Sequence, residues 1–425
     1  MTKYMSLQER DKKHLWHPLK QHQLNPESLA IVQAKDCILT DEDGNEYIDA
    51  ISSWYTCMYG HCNDYIIEAT HKQMQRLDHV MFSDFTHEPA VKLSEELIKI
   101  LPHNQNKIYF NDNGSTAVEA GIKMALQYYF NKDEKRSLFI AFEDGFHGDT
   151  FGAMSVSGLS VYNGPFEDFL INVKRIPVPN DSNTDSILQQ LKTLVSNHKI
   201  AGFIYEPLIQ GAAGMKTHDA NGLNTILNFF KTRNILTIAD EVMTGFGKTG
   251  KNFASDYLEA KPDIICLSKA LTAGLLPMAI TSCTQDIYEG FLSEDISKGF
   301  FHCHTYSANP VACAAAIAGI ELLTSAKIQN NIQNIIKSHT DFKKRIQNHP
   351  KVKTTRHLGV IFALDLNTKM QRYGDLRDKL LKFFMDRGIF LRPLGNTIYI
   401  QPPYVITNAQ LQKVYQTLED VLDIV

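Results

Sequence analysis

The sequence lacks several features that mark particular classes of protein. Its 425 residues include only seven cysteines, none of them in CxxC spacing, which argues against a disulfide-stapled scaffold and favours a reducing compartment. It has no run of the roughly 20 consecutive apolar residues that a membrane helix requires. The first 18 residues are polar and charged, without the apolar core of a signal peptide, so we expect a cytoplasmic protein.

Neither sign of charge is in excess. Lys and Arg number 43 against 47 Asp and Glu, for a net charge of -4. This balance gives no electrostatic footprint for nucleic acid or for an anionic membrane. We therefore expect neither nucleic acid nor a membrane as a partner.

The central part of the chain alternates strand-like and helical segments between about residues 105 and 285. Five segments are rich in Ile, Val, Phe or Tyr and end in small or polar residues: KIYFND, SLFIAFED, AGFIYEP, ILTIADEV and DIICLS. This alternation predicts an α/β fold with a parallel sheet covered on both faces. Ligands of such sheets bind at the carboxyl ends of the strands.

The two ends of the chain have a different pattern, and a chain of this length exceeds one usual domain. GNEYIDAISSWY near the start and GVIFALDL, GIFLRPL and TIYIQPPY near the end predict a smaller α+β domain built from both ends. We divide the chain into residues 1–60, 61–325 and 326–425, the first and last forming the small domain. PVACAAAIAGIELL, beginning at Pro310, predicts a buried helix.

Asp240 and Glu241 stand at the carboxyl end of the apolar segment ILTIADEV. A carboxylate in that position needs a partner. One candidate is the ring nitrogen of pyridoxal 5'-phosphate (PLP), which becomes a better electron sink when a carboxylate keeps it protonated. The other is an arginine or lysine in a structural salt bridge, and Asp240 alone does not separate the two.

Lys269 follows the next apolar segment, DIICLS, and lies 29 residues after Asp240. Burial there lowers the pKa of a lysine from about 10.4 towards 7–8, which leaves an amine able to form a Schiff base with an aldehyde. The alternative is a surface lysine whose stem covers apolar side chains. The strand context and the spacing from Asp240 favour the first interpretation.

Two further segments carry candidate cofactor contacts. Gly114 and Ser115 open a helix directly after KIYFND, and free backbone N–H groups at a helix N-terminus bind phosphate; alternatively Ser115 only caps the helix. Phe146 and His147 lie in a glycine-flanked loop after SLFIAFED. The Phe146 ring suits stacking on a planar cofactor, although core packing is the commoner role of a phenylalanine.

Three other patterns are weak. The GxGxxG match from Gly245 to Gly250 does not directly follow a strand end, and a P-loop would need glycine at Val242. His302 and His304 flank Cys303 without a carboxylate or a CxxC pair, which does not resemble a metal site. We expect neither a nucleotide nor a metal.

These residues resemble the class III, fold-type I, PLP-dependent aminotransferases. The motifs IADEVMTGFGKTG, CLSKALTAG, FHGDTFGAMSV, YEPLIQGAAGM and HTYSANPVACAAA occur in the order of that family and span nearly the whole chain. The resemblance implies a large domain with a mostly parallel, seven-stranded sheet. It also implies a homodimer with active sites at the interface.

Within the family the chain is most similar to the adenosylmethionine-8-amino-7-oxononanoate aminotransferases of biotin synthesis. HLWHP, SSWYTCMYGHCN, HVMFSDFTHEPA and FLRPLGNTIYIQPPY carry this likeness. It implies conversion of 8-amino-7-oxononanoate to 7,8-diaminononanoate with ping-pong kinetics. The implied catalytic and cofactor roles are Lys269 for the Schiff base, Asp240 for the ring nitrogen, His147 for a further cofactor contact, Gly114 and Ser115 for the phosphate, Phe146 and Val242 for the ring faces, and His304 and Thr305 for completing the phosphate site of the partner subunit. The implied substrate contacts are Trp54, Phe146, Lys269 and Cys303 in the cleft, and Arg392 for the substrate carboxylate.

Departures from the family pattern leave two amino donors open. Leu19 and Phe146 stand where many relatives have tyrosine, and Lys248 stands where arginine is usual. The segment from His302 to Tyr306 is closer to a lysine-using relative, whereas Trp54 is typical of the adenosylmethionine users. We expect S-adenosylmethionine as donor, with L-lysine, or a different ω-amino acid reaction of the same family, as the alternative.

Overall fold

A computed structural model describes residues 5–24, 27–158, 163–369 and 374–424. Its strands are β1 (Ile31–Lys35), β2 (Ile38–Asp41), β3 (Glu46–Asp49), β4 (Lys107–Asn111), β5 (Leu138–Phe142), β6 (Val173–Ile176), β7 (Ile200–Tyr205), β8 (Ile209–Gln210), β9 (Lys216–Thr217), β10 (Leu236–Asp240), β11 (Ile264–Leu267), β12 (Ala279–Cys283), β13 (Val352–Leu358), β14 (Ile361–Leu366), β15 (Ile389–Phe390) and β16 (Thr397–Ile400).

The helices are α1 (Leu7–His14), α2 (Ser52–Tyr55), α3 (Asp64–Met74), α4 (Glu88–Ile100), α5 (Gly114–Asn131), α6 (Phe151–Val156), α7 (Thr184–Asn197), α8 (Ala220–Lys231), α9 (Gln285–Glu289), α10 (Pro310–Thr324), α11 (Ala326–Ile346), α12 (Asp375–Met385) and α13 (Asn408–Leu422). One of them, α2, is a single turn with positive φ angles. Short 3-10 turns cover Gly164–Phe169, Ala254–Tyr257, Lys269–Thr272 and Ile296–Lys298.

The central sheet has seven strands in the order β4, β12, β11, β10, β7, β5, β6. All of them are parallel except β12, which runs antiparallel to both neighbours. The five segments predicted as strands are β4, β5, β7, β10 and β11. The predicted α/β class and the seven-stranded, mostly parallel sheet are therefore confirmed.

Each face of this sheet is buried against a different set of side chains. Along β7, Phe203 and Tyr205 belong to the larger apolar core, whereas Ala201 and Ile204 face a smaller core that includes residues of α5. Strands buried on both faces lose the alternation of polar and apolar residues. This explains why β5, β7, β10 and β11 are continuous apolar runs in the sequence.

The two ends of the chain meet in a second sheet with the order β1, β2, β3, β15. β15 runs parallel to β3, with Ile389 opposite Ile48 and Phe390 opposite Asp49. A third sheet, β13, β14, β16, is formed by the C-terminal part alone. The α+β character expected of the chain ends is thus present, while the boundaries at residues 60 and 325 stay a prediction.

The Ala-rich segment predicted as a buried helix is α10, most of whose side chains are buried. Among the described residues no single helix has both the length and the apolar character to span a membrane. The pair α10 and α11 reaches that length and composition only when joined across a 65° bend.

Candidate active site

A cavity of about 960 Å³ lies at the carboxyl ends of the central strands. Its walls come from the loops after these strands and from both ends of the chain. Nine of the predicted site residues line it: Trp54, Gly114, Ser115, Phe146, His147, Asp240, Val242, Lys269 and Arg392. Most of the site expected from sequence is therefore brought together in one place.

Lys269 and Asp240 meet because their strands are neighbours. β10 and β11 pair in parallel with Asp240 opposite Cys266, so Lys269, just beyond β11, emerges beside Asp240. Lys269 has a φ of 51° and opens a short 3-10 turn. Burial lowers the pKa of its amine, an effect that Asp240 and Glu206 oppose. The amine therefore loses its proton more readily than the amine of a solvent-exposed lysine.

The carboxylate of Asp240 is buried and is held on both oxygens. Oδ1 accepts the backbone N–H of Val242 at 3.0 Å, and Oδ2 lies 2.8 Å from Nδ1 of His147. The side chain in direct contact with this carboxylate is thus that of His147, and the Lys269 amine interacts with it electrostatically. An ionised carboxylate has about four acceptor positions, so Asp240 keeps capacity for a further donor on the cavity side.

The N-terminus of α5 forms another part of the wall. Its capping residue is Asn113, whose side chain accepts the backbone N–H of Thr116 at 3.0 Å, so the capping role considered for Ser115 is wrong. The Ser115 hydroxyl instead accepts the backbone N–H of Asp149 at 3.2 Å. A Cβ on Gly148 would lie 2.2 Å from Ser115 Oγ, and one on Gly114 would lie 2.9 Å from a Val242 methyl group. Only glycine permits this close approach.

Glu206 is a buried carboxyl group in the cavity wall that we did not single out from the sequence. It follows β7, and its two oxygens accept the backbone N–H groups of Phe146 at 3.1 Å and Gly211 at 3.0 Å. Burial raises the pKa of Glu206 to about 7, although His147 acts against the rise. The signal was available, because Glu206 ends an apolar strand just as Asp240 does.

Another part of the wall is built by the chain ends. The guanidinium carbon of Arg392 lies 4.5 Å from the ring centroid of Trp54, within the range of a cation–π contact. The rings of Tyr55 and Tyr399 are 5.8 Å apart, and Lys269 Nζ is 5.4 Å from the Tyr55 centroid. Sequence reasoning missed both tyrosines, because nothing in their surroundings distinguishes them from core aromatics.

Three predicted site residues, Cys303, His304 and Thr305, do not line the cavity of their own chain. They lie close to its edge, because His304 Nδ1 is 3.8 Å from Oδ2 of Asp112, which does line the cavity. Among the described residues, no group of three or more His, Cys, Asp and Glu side chains is arranged to hold a metal ion.

The substitutions noted against the family pattern occupy different places. Leu19 and Phe146 line the cavity. Lys248 is fully buried, is not part of the cavity wall, and its amine has no hydrogen-bond partner among the described residues. Burial lowers the pKa of Lys248 far below its usual value, and the nearby Lys269 lowers it further while Glu241 opposes the shift.

The residues of the cavity fit PLP. An amine and a carboxylate with spare acceptor capacity lie at adjacent strand ends, and Nε2 of the buried His147 has no partner among the described residues. The N-terminus of α5, which opens with Gly114, presents backbone N–H groups of the kind that bind an anion. Phe146 and Val242 supply apolar surface for a flat ring.

Comparison with known proteins identifies the family. Residues 20–422 match the aminotransferase class-III family model. The chain is 42% identical to adenosylmethionine-8-amino-7-oxononanoate aminotransferase of Synechococcus elongatus, over 96% of this chain and 98% of the relative, and 34% identical to that of Helicobacter pylori, over 97% of each.

Comparison with solved structures points to the same family. The adenosylmethionine-8-amino-7-oxononanoate aminotransferase of Methanocaldococcus jannaschii superposes with a TM-score of 0.92 at 32% identity, over 97% of both chains. The omega transaminase of Pseudomonas jessenii, solved in complex with PMP, superposes with a TM-score of 0.90 at 25% identity, over 99% of this chain and 98% of that one. This chain belongs to the class-III aminotransferases and is a PLP-dependent enzyme.

Proposed function

We propose that this enzyme transfers an amino group to 8-amino-7-oxononanoate and so forms 7,8-diaminononanoate in biotin synthesis, with S-adenosylmethionine as the amino donor. The names of its curated relatives support this substrate pair. So does the cavity, whose wall includes both the Lys269 amine and the Arg392 guanidinium. That pairing is the observation that carries the proposal, because the acceptor has a ketone near one end and a carboxylate at the other.

The residues of the cofactor end divide the work of amino transfer. Bound PLP supplies an aldehyde that carries the amino group between substrates and a ring that withdraws electrons. Asp240 would hold the proton on the ring nitrogen, and His147 would hold Asp240 in place. Gly114 and Ser115 would bind the phosphate, while Phe146 and Val242 would cover the two ring faces. Lys269 would move the proton between the substrate carbon and the cofactor, for which its lowered pKa is suited.

The residues of the substrate end would orient the acceptor. Arg392 would bind its carboxylate, since a guanidinium grips a carboxylate through two parallel hydrogen bonds. Trp54 would line the cleft and support Arg392 by the contact between them. Leu19 and Phe146 add apolar wall, which suits the aliphatic chain of a nine-carbon acid.

We further propose that the enzyme is a cytoplasmic homodimer. The positions of Cys303, His304 and Thr305 outside the cavity of their own chain support a model in which they complete the site of the partner subunit. Phe301 and Tyr306, on either side of these residues, are exposed and would be covered by that contact. All seven cysteines are free thiols, which is typical of a reducing compartment.

The two half-reactions test the substrates separately. Enzyme with bound PLP is mixed with S-adenosylmethionine, with L-lysine or with 4-aminobutyrate, and the loss of the visible absorbance of the aldehyde form is followed. We expect S-adenosylmethionine to react fastest and 8-amino-7-oxononanoate to restore the absorbance. A faster reaction with L-lysine would select the alternative donor. Failure of 8-amino-7-oxononanoate to restore the absorbance would reject the proposed acceptor.

A further inference from the structure

Trp54 sits on an unusual piece of backbone. Four consecutive residues that are not glycine, Ser52, Ser53, Trp54 and Tyr55, have φ angles of 52°, 44°, 70° and 72°. A Cβ makes the left-handed conformation unfavourable, and non-glycine residues normally adopt it singly. A run of four must therefore be held by the surrounding structure.

The carboxylate of Asp49 holds the start of this turn. Asp49 is the last residue of β3 and is fully buried. Its oxygens accept the backbone N–H of Ile51 at 3.2 Å and of Ser53 at 2.7 Å, together with the Ser53 hydroxyl at 3.1 Å. These bonds satisfy backbone groups that a left-handed turn leaves without the usual helical partners.

His61, which follows the turn in the sequence, contacts the same carboxylate. Its Nε2 lies 2.8 Å from Asp49 Oδ2, and its side chain is only 11% exposed. Its backbone is tied to Asp36 by two hydrogen bonds of 2.7 and 3.0 Å. Burial alone would lower the pKa of His61, but hydrogen bonds with Asp49 and Cys57 outweigh it and raise that pKa to about 10. The pair is thus an ion pair at neutral pH.

The turn is also connected to the C-terminal part of the chain, which carries Arg392. The Ser52 hydroxyl donates to the carbonyl of Gln401 at 2.7 Å. Asp49 lies opposite Phe390 in the pairing of β3 with β15, and Arg392 follows two residues later. The backbone of Asp49 is therefore fixed in the sheet. Its carboxylate fixes the turn that presents Trp54 to the Arg392 guanidinium.

We propose that Asp49 and His61 are a positioning pair: they lock the left-handed turn so that Trp54 holds the Arg392 guanidinium in place, and they thereby set the affinity for the substrate carboxylate without touching it. Neither residue lines the cavity. The proposed effect on the affinity for the substrate carboxylate rests on the proposed function of Arg392, whereas the proposed locking of the turn does not.

The chain offers a direct reporter of the turn, because Trp16 and Trp54 are its only tryptophans. Trp16 is 90% exposed, and Trp16→Phe leaves Trp54 as the single emitter. In that background we compare the holoenzyme with His61→Leu, which removes the imidazole donor, and with His61→Gln, which keeps one N–H donor. The control is His71→Leu, an exposed histidine on α3.

Two quantities are measured in each protein: quenching of Trp54 emission by iodide, and the Kd of nonanoate, a nine-carbon monocarboxylate, from the change in that emission. For His61→Leu we expect the quenching constant to rise about twofold as the indole face becomes accessible, and the Kd to rise about tenfold, since small displacements of a positioning group are costly. For His61→Gln, both the quenching constant and the Kd should lie between the values for His61→Leu and those for the unmodified protein. For His71→Leu, both should match the unmodified protein.

The outcomes separate the two parts of the idea. Unchanged quenching in both His61 variants would show that the pair does not lock the turn. Increased quenching with an unchanged Kd would show that the turn does not position the carboxylate site. With 8-amino-7-oxononanoate, the expected effect of His61→Leu is a raised KM with a kcat within about threefold of the unmodified enzyme. If the unmodified enzyme does not convert this acid, only the proposed function fails, because quenching and nonanoate binding need no turnover.

Discussion

The two ends of the cavity are built on different kinds of structure. At the cofactor end, Asp240 is the last residue of β10, while Lys269 and Glu206 lie just beyond β11 and β7, and these three strands are adjacent in one sheet. At the substrate end, Trp54 stands on a left-handed turn and Arg392 on a segment that comes from the far end of the chain. The first arrangement is fixed by strand register and the second by contacts between distant parts of the sequence.

The residues proposed to carry out the chemistry are thus held in place differently from those proposed to select the substrate. The groups proposed to serve the cofactor are held by backbone hydrogen bonds inside a sheet buried on both faces, where a displaced strand would disrupt the core. The groups proposed to bind the substrate are held by a few side-chain contacts at a wall that can change without altering that sheet. One scaffold can therefore keep amino transfer constant while the acceptor changes.

The largest expected effect is that of Lys269→Ala, which removes the reacting amine of the cofactor end. We expect kcat to fall about 10²–10⁴-fold or more, the range that a positioned proton-transfer group contributes. Borohydride treatment of the unmodified holoenzyme should attach the cofactor to the peptide that contains Lys269, and mass spectrometry identifies that peptide. Lys251→Ala removes an exposed lysine that stacks on Tyr257 and should keep both activity and label. Attachment at another lysine would contradict the assignment.

At the substrate end, Arg392→Ala should act mainly on binding of the keto acid. Loss of a hydrogen-bonded ion pair is worth about 1.5–3 kcal/mol, so we expect KM for 8-amino-7-oxononanoate to rise by about 10- to 150-fold. Arg392→Lys should recover only part of this, because an ammonium cannot form the paired hydrogen bonds of a guanidinium.

Arg387 offers a matched control for that experiment. Its guanidinium carbon lies 3.5 Å from the ring centroid of Phe383, so it also stacks on an aromatic side chain, but it does not line the cavity. Arg387→Ala should leave KM for the keto acid unchanged. Equal rises in KM for the acid and for the amino donor in Arg392→Ala would contradict an acceptor-specific role.

The same division explains what the sequence predicted. The central strands and the pair Asp240 and Lys269 were predictable because apolar runs give strands, and parallel strands bring their carboxyl ends together. The turn from Ser52 to Tyr55 gave no signal, since its residues are not those that favour positive φ angles. Trp54 and Arg392 were found only through the family resemblance, because no local pattern predicts the pairing of β3 with β15.

Glu206, at the cofactor end, connects two loops, because its carboxyl group accepts the backbone N–H of Phe146 in one loop and of Gly211 in the next. Its pKa is raised by burial to about 7, so the folded state holds the proton more tightly than the unfolded state. Its contribution to stability is therefore greatest below the unfolded pKa and declines as the pH rises towards 7. In Glu206→Gln the side chain cannot ionise, so this decline in stability with rising pH should be absent.

The measurement is the Tm of the protein without cofactor at about pH 5 and about pH 8, on either side of most of this titration. Between these values the Gln variant should gain stability relative to the unmodified protein by up to about 3 kcal/mol, the free energy of a shift of roughly two pKa units. Glu143→Gln, which alters an exposed carboxylate of the neighbouring loop, should show no relative gain. A difference in Tm between Glu206→Gln and the unmodified protein that stays constant with pH would mean that Glu206 is ionised throughout. Its two N–H partners, together with His147, would then outweigh the cost of burying it.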